Sequence, residues 1–366
     1  MTVLQLLPEL EVGGVEQGTL EIAAALIKAG HRAVVVSGGG RLVPRLEALG
    51  ALHVEMPIGR KRPSTLRTVR LLREIITAEQ VSLVHARSRL PAWVGHLAIK
   101  GISPLARPRW VTTVHGPYTV NRYSKIMISG ERVIAISDFI SDYIFRAYPE
   151  FDNSRVVVVP RGVDRAHYPY NFSPDPTWLA EWRSAHPMFH DRRLLCLPGR
   201  LTRWKGQTDF IQLMTRLVQQ GLPVHGLIVG GPHPRKRAYE LELKRLVRVA
   251  GLNAEISFLG QRNDLREILG VSDLVFSLTR EPEAFGRTTI EALSMGRPVI
   301  GYDHGGTGEI LRQVYPAGLI PVGAIEEAAQ RATALLRTAP RVPLEHPYTL
   351  AAMQAGTLAV YSELCR

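Results

Sequence analysis

The chain alternates short β-branched runs with amphipathic helical stretches, and it does so twice; no other feature restricts its fold as much. VLQLL (3–7), AVVVS (33–37), SLVHA (82–86), WVTTV (110–114), RVIAI (132–136) and RVVVV (155–159) are apolar runs of strand length. Segments of helical period, such as VEQGTLEIAAALIKAG (15–30) and TLRTVRLLREIITAEQ (65–80), lie between several of them. Near-continuous apolar strands separated by amphipathic helices belong to a parallel sheet covered on both faces. After the irregular, Pro- and aromatic-rich HYPYNFSPDPTW the pattern restarts with RLLCL (193–197), VHGLIV (224–229), EISFL (255–259), DLVFS (273–277) and PVIGY (298–302). A length of 366 residues suits two domains, each able to bury its own core. The expected fold class is α/β, with two doubly wound Rossmann-like domains facing each other across a cleft. Their expected bounds are 1–165 and 166–346, and a C-terminal helical segment, 347–366, crosses back to the first domain. Ligands of such folds sit outside the carboxyl ends of the strands.

Composition sets the class. An apolar fraction of 45% and a charged fraction of 21% are those of a soluble globular protein. No uncharged apolar run approaches the roughly 18 residues that cross a bilayer. MTVLQLLPELEVGG lacks a basic leader and a long apolar stretch, so no signal peptide is expected. Cys196, inside LLCLP, reads as a core residue and Cys365 is penultimate; they form neither a metal-ligand spacing nor a disulfide framework. A cytoplasmic protein fits these features.

The net charge of +12 is concentrated. Residues 55–132 carry 14 Lys/Arg against 4 Asp/Glu, among them Arg60, Lys61, Arg62, Arg67, Arg70, Arg73, Arg107, Arg109, Arg122 and Lys125. Such a segment attracts an anionic surface, and a membrane leaflet adds about 1 kcal/mol per basic residue held near it. Peripheral contact with an anionic membrane, at the inner face of the plasma membrane, is one expectation; a solvated basic face is the other. Neither a helix-turn-helix signature nor an aromatic-interleaved RNA motif occurs, so nucleic acid is not an expected partner.

EPEAFGRTTIEALSMGRPVI (281–300) carries two glutamates eight positions apart around a Phe-Gly turn. DLVFSLT reads as strand, 280–284 as loop, and a helix begins near Phe285 or Gly286. The first amides of a helix are unpaired and partly positive, and Gly286 lets a phosphate approach them closely. Side chains lean toward a helix N-terminus, which brings Glu291 back to that end. Carboxylates accept hydrogen bonds from hydroxyls, so Glu283 and Glu291 suit two sets of sugar hydroxyls flanking a phosphate. The plainer alternative has Glu283 facing a helix dipole and Glu291 solvated. In CLPGRLTRWKGQTDFI (196–211), Arg200 and Lys205 occupy a strand-to-helix loop at the carboxyl end of the second sheet. Together they would hold a diphosphate and stabilise it as a leaving group. Gly13-Gly14, Gly230-Gly231 and Gly305-Gly306 follow strands and serve either ligand approach or plain turns. His115, in TTVHGPY, sits at the carboxyl end of a first-domain strand, as a functional imidazole or a structural one.

GRLTRWKG, IVGGP, FLGQRNDLREILGVSDLVFSLTREPEAFGRTTIEALSMGRPVIGYDHGGTGEIL and VIAIS…VVVVPRGVD resemble the family 4 retaining glycosyltransferases of GT-B fold, most densely over 193–312. In look the chain is similar to the bacterial lipopolysaccharide-core type. The resemblance implies a nucleotide-diphosphate-sugar as donor substrate, a glycan or glycolipid acceptor, retained anomeric configuration, a role in cell-envelope polysaccharide or lipopolysaccharide biosynthesis, and no cofactor or catalytic metal. No D-x-D pair occurs in the chain. By the same resemblance Arg200 and Lys205 bind the diphosphate and Glu283 lies against the donor sugar, with Phe285 and Gly286 supplying nearby amides. Glu291 binds the ribose, and Arg262 falls where main-chain groups meet the base. Gly14 belongs to the glycine-rich loop near the phosphates, and His115 touches the transferred sugar. The chain departs from the family at Arg280-Glu281, near the usual Pro-Ser, and at Arg161, where Asn is frequent. The competing expectation is an anionic-membrane- or polyanion-binding protein with a vestigial donor site.

Overall fold

The computed structural model describes residues 1–11, 13–60, 65–232, 238–338 and 341–366. It divides into two compact units, Met1–Arg161 with Leu350–Arg366, and Gly162–Thr349. The first unit thus ends at Arg161 and not at 165, and the terminal helix starts at Leu350 and not at 347.

The first unit holds seven strands: β1 (Thr2–Leu6), β2 (Arg32–Ser37), β3 (Leu52–Glu55), β4 (Leu83–Ala86), β5 (Arg109–Val114), β6 (Arg132–Ala135) and β7 (Val156–Val158). They form one parallel sheet in the order β3-β2-β1-β4-β5-β6-β7. The helices are α1 (Gly14–Lys28), α2 (Val43–Ala48), α3 (Thr65–Ala78), α4 (Arg89–Lys100) and α5 (Asp138–Ala147). Strand β1 is buried along its whole length, as a central strand covered on both faces must be. Leu20, Ala23 and Leu26 of α1 join the same core as Val3, Val35, Leu83 and Val111.

The second unit contains β8 (Arg193–Pro198), β9 (Val224–Val229), β10 (Ile256–Gly260), β11 (Leu274–Ser277), β12 (Val299–Tyr302) and β13 (Leu319–Ile320). Their order is β10-β9-β8-β11-β12-β13, again all parallel. Its helices are α6 (Pro176–Ala185), α7 (Gln207–Gln219), α8 (Ala238–Val249), α9 (Leu265–Val271), α10 (Arg287–Ser294), α11 (Gly305–Val314) and α12 (Ile325–Thr338). The last helix, α13 (Leu350–Leu364), packs into the first unit: Tyr361 is fully buried there, and its hydroxyl meets His85 Nδ1 at 2.6 Å.

All eleven expected strands are present, displaced by a residue or so at their ends. β3 and β13 were not expected. Both are edge strands: β3 is only partly buried, and β13 is two residues long. Edge strands need less apolar sequence than central ones, so their pattern is faint. Both units are doubly wound. The strand order reverses between β1 and β4 in the first and between β8 and β11 in the second, and crevices for ligands open at these reversals.

Candidate active site

In the second unit the reversal is bordered by the loops after β8 and β11. The first turns through Gly199 and a short 3-10 segment, Arg203–Lys205, into α7. Gly206, at φ +76°, lies so close to Leu278 that a Cβ would overlap its carbonyl oxygen, so only glycine lets the two loops touch. The contact is fastened by Arg280 N–H donating to the Trp204 carbonyl (2.7 Å). Lys205 is thereby set beside the second loop, where its Nζ forms an ion pair with Glu283 Oε1; the two side chains are 18% and 19% exposed. Lys205 also stands over the Trp204 ring, 4.4 Å from its centroid. Arg200 is exposed and makes no hydrogen bond or ion pair through its guanidinium among the described residues.

The loop after β11 ends at Gly286, left-handed at φ +87°, which precedes α10; no side chain caps that helix start. Phe285 is buried and meets the Tyr348 ring edge-on at 5.7 Å. Glu283 O accepts from Gly306 N–H (2.8 Å), and a Cβ at Gly306 would overlap Phe285 backbone. Gly305-Gly306 is therefore where the start of α11 packs on the glutamate loop. Gly230 likewise packs on the Gly199 backbone. These two pairs serve close backbone packing.

Glu291 is 6% exposed, which rules out a solvated helix residue. Its Oε1 accepts from Arg287 Nε at 2.8 Å, one helical turn away, and Tyr168 faces it: burial first, then the Glu291 charge, raises the Tyr168 hydroxyl pKa. Between the end of β11 and the start of α10 lies a small pocket lined by Lys205, Glu283, Ser277, Thr279, Thr288 and Thr289. The hydroxyls of Thr279 and Thr289 are buried without partners among the described residues. Arg262 is engaged with Asp264 through Nε (2.8 Å) and Nη2 (2.6 Å), and Asp264 also accepts from Trp178 Nε1 (2.9 Å). The hydrogen bond from Arg262, chiefly, holds the Asp264 carboxyl below its ordinary pKa.

Arg280, where the chain departs from the family, binds Asp209 through Nε and Nη2 at 2.5–3.1 Å. Asp209 is fully buried and also accepts from Tyr302 Oη (2.6 Å). Sequence reading missed Asp209, Tyr168, Thr279 and Thr289. Only the Arg287-to-Glu291 spacing carried a legible signal, an i,i+4 pair.

In the first unit, α1 begins at Gly14 with no side-chain cap, and a Cβ at Gly14 would have no atom within 4 Å. Gly14 thus leaves its side of the helix start uncovered, while the Glu16 carboxylate lies against Gly13. His115 follows β5; its Nδ1 receives Arg161 Nη2 at 2.9 Å. Its Nε2 is shut from solvent with no partner among the described residues. Burial, then the charges of Arg161 and Arg87, depress its pKa well below the ordinary value, so the ring is neutral. Arg161 lies against α1 where Gly18 leaves room for it.

The basic segment is only partly free. Arg70 pairs with Glu74 (3.1 Å), Arg109 with Glu131 (3.0 Å), Arg132 with Glu363 and, at 3.9 Å, Arg60 with Glu9. Arg107 donates to the carbonyls of Ile102 and Lys100 and fixes a turn on which Leu105 is fully exposed. Lys61 and Arg62 lie outside the described residues. No helix among the described residues is long and apolar enough to cross a membrane.

Two family models match in succession: "Glycosyltransferase Family 4" over residues 12–167 and "Glycosyl transferases group 1" over 180–345. A crystal structure of a glycosyltransferase from Rickettsia africae superposes with a TM-score of 0.87 at 29% identity, covering 100% of this chain and 98% of that one. The Anabaena HepE structure in complex with UDP and glucose has the same fold: TM-score 0.80, 21% identity, 99% of each chain. Among curated relatives, alpha-maltose-1-phosphate synthase of Mycolicibacterium smegmatis is 26% identical over 257 residues, 66% of this chain. The lipopolysaccharide core mannosyltransferase LpsB of Rhizobium meliloti is 35% identical over 117 residues, 31% of this chain and 32% of its own length. The match spans less than two thirds of the first curated relatives' lengths, 64%, 61% and 63%.

Proposed function

The chain belongs to the family 4 glycosyltransferases of GT-B fold, and from that premise we propose that it transfers a sugar from a nucleotide-diphosphate-sugar to a glycan or glycolipid acceptor, with retention of configuration and without a metal. The observation that carries this reading is the Lys205–Glu283 pair at the β8/β11 reversal, beside an uncapped helix start and the buried Glu291. UDP is the first donor nucleotide to test, since HepE is a fold relative in complex with UDP and glucose.

In this mechanism the donor diphosphate takes its countercharge from Arg200, Lys205 and the α10 amides at Gly286. Lys205 exchanges its bond to Glu283 for a phosphate oxygen, which frees Glu283 to accept from the donor sugar. Glu291 accepts from the ribose hydroxyls while Arg287 fixes its orientation. Main-chain groups at Arg262 meet the base, and Phe285 lends an amide. Gly14 admits the phosphates to the start of α1, and His115 Nε2–H donates to the transferred sugar. As the sugar–phosphate bond breaks, charge grows on the leaving diphosphate, where fixed cations stabilise it most. The acceptor hydroxyl attacks from the same face and gives its proton to the leaving phosphate. A trapped covalent glycosyl-enzyme would overturn that step.

The relationship to LpsB supports a place in cell-envelope or lipopolysaccharide synthesis. Leu105, exposed on a turn bearing Lys100 and Arg107, supports peripheral contact with an anionic leaflet at the cytoplasmic face. The test is a thermal-shift panel with UDP, GDP and ADP, each with and without EDTA. A nucleotide at 100 times its dissociation constant stabilises the fold by about 2.7 kcal/mol. One nucleotide is expected to shift the melting point equally in both conditions. A shift abolished by EDTA refutes metal independence; no shift with any nucleotide refutes the donor site and favours a polyanion-binding protein.

A further inference from the structure

Arg87 is the first residue after β4, at the strand-order reversal of the first sheet, and is 2% exposed. Its backbone N–H donates to Leu6 O at the end of β1 (2.9 Å), and its Nε donates to Gln5 Oε1 (2.9 Å). Gln5 is held in turn by its own Nε2 donating to Thr19 O (3.1 Å). The guanidinium is thus aimed by a neutral amide that itself has little freedom. Tyr361 also hydrogen-bonds the guanidinium, while Nη2 is buried without a hydrogen-bond partner among the described residues. A buried N–H left unmade is costly, and more so on a charged group.

The neighbouring strand ends in a second such donor. A guanidinium only donates, so His115 Nδ1, which receives Arg161, must be the acceptor, and the neutral ring carries its proton on Nε2. That Nε2–H is also buried without a partner. Arg87 and Arg161 both act electrostatically on His115, and the Glu21 charge offsets Arg87 in part. Two buried donors left unmatched beside two cations call for a group that accepts. His115 already faces the transferred sugar in the reading above, whereas Arg87 has no part in it.

We propose that Arg87 binds an oxyanionic substituent of the acceptor, a phosphoryl or carboxylate group carried near the hydroxyl that reacts. The assignment to the acceptor rests on the reading above, in which Arg200 and Lys205 hold the donor diphosphate.

The experiment saturates the full chain with UDP and titrates inorganic phosphate or acetate at constant ionic strength, read by melting point and calorimetry. The wild type is expected to bind one of them, tighter binding of phosphate or of acetate naming the group. Arg87→Lys keeps the charge but loses the planar fork, and is expected to weaken binding about tenfold with UDP affinity unchanged. Arg87→Met is expected to abolish it. Because either variant can disturb the Gln5 contact, wild-type crystals soaked with UDP and selenate supply a mutant-free readout: an anomalous peak beside Arg87 Nη2. Absence of that peak, no anion binding to the UDP-saturated wild type, or undiminished binding in a folded Arg87→Lys protein overturns the proposal. A UDP shift with no anion effect defeats this inference alone. No UDP shift defeats the donor reading and, with it, the acceptor assignment.

Discussion

The two sheets reverse their strand order at corresponding places, yet the charges there are balanced differently. At the second reversal and around it, cations stand beside carboxylates: Lys205 with Glu283, Arg280 with Asp209, Arg287 with Glu291, and Arg262 with Asp264. At the first, Arg87 donates to an amide and Arg161 to a neutral imidazole, and the Glu21 charge also acts on Arg87. A set of ion pairs can receive a diphosphate by exchanging partners, so little charge is left uncovered in either state. A buried cation whose hydrogen bonds run to neutral groups has no partner to exchange when a ligand arrives. On the proposed mechanism, the second reversal switches its partners while the first is set in advance.

Removing the exchanging cation should give the largest effect. Lys205→Ala is expected to cost roughly 2–4 kcal/mol in kcat/KM, about one and a half to three powers of ten. Steady-state transfer with the nucleotide-sugar identified by the shift panel checks this, and near-normal turnover would remove Lys205 from the mechanism. Asp209→Asn should be chiefly structural, because Arg280 and the Tyr302 hydroxyl lose a shared buried acceptor. With Arg280 half in solvent, a loss of about 2 kcal/mol is expected, a fall of roughly 4–8 °C in the melting point of the unit Gly162–Thr349 if it unfolds by itself, and about half that if the chain unfolds as one. An unchanged melting point would deny Asp209 its place in holding the loops together.

Glu291→Ala should act on binding: about tenfold weaker nucleotide affinity by calorimetry, the worth of one hydrogen bond to a charged group. Glu283→Gln should leave that affinity nearly intact and cut transfer. If the two substitutions behave alike, the division of the glutamates between two sugars fails.

The smallest effect is the pH dependence of stability. Burial first, and then neighbouring arginines, lower the pKa of His85 and His115, and burial with Arg192 lowers that of His225 to about 4. Below pH 6.5 these histidines take up protons in the unfolded chain that the folded one refuses, so their contribution to stability falls as pH drops from 6.5 toward 4 and is fully present above that range. Melting points measured between pH 4.5 and 7.5 should show this slope, set in buffers that span the range. His225→Asn should flatten it; an unaltered slope would assign the effect elsewhere.

The parallel strands were legible because a strand buried on both faces must be apolar throughout, as the fully buried β1 and β9 show. The edges β3 and β13 were not, since half-exposed strands carry no such demand. The site divides the same way. The loops after β8 and β11, the helix start at Gly286 and the i,i+4 pair of Arg287 and Glu291 are local, and sequence spacing alone determines them. Which distant groups meet was decided only by tertiary structure. Lys205 reaches Glu283, 78 positions on, because Gly206 lets two loops touch; Arg280 reaches Asp209, 71 positions earlier; Arg87 is buried against Gln5, 82 positions earlier. An arginine's composition and neighbours in the chain do not say whether its charge faces water, a carboxylate or an amide. That depends on which strands lie side by side, and strand order is a property of the folded sheet.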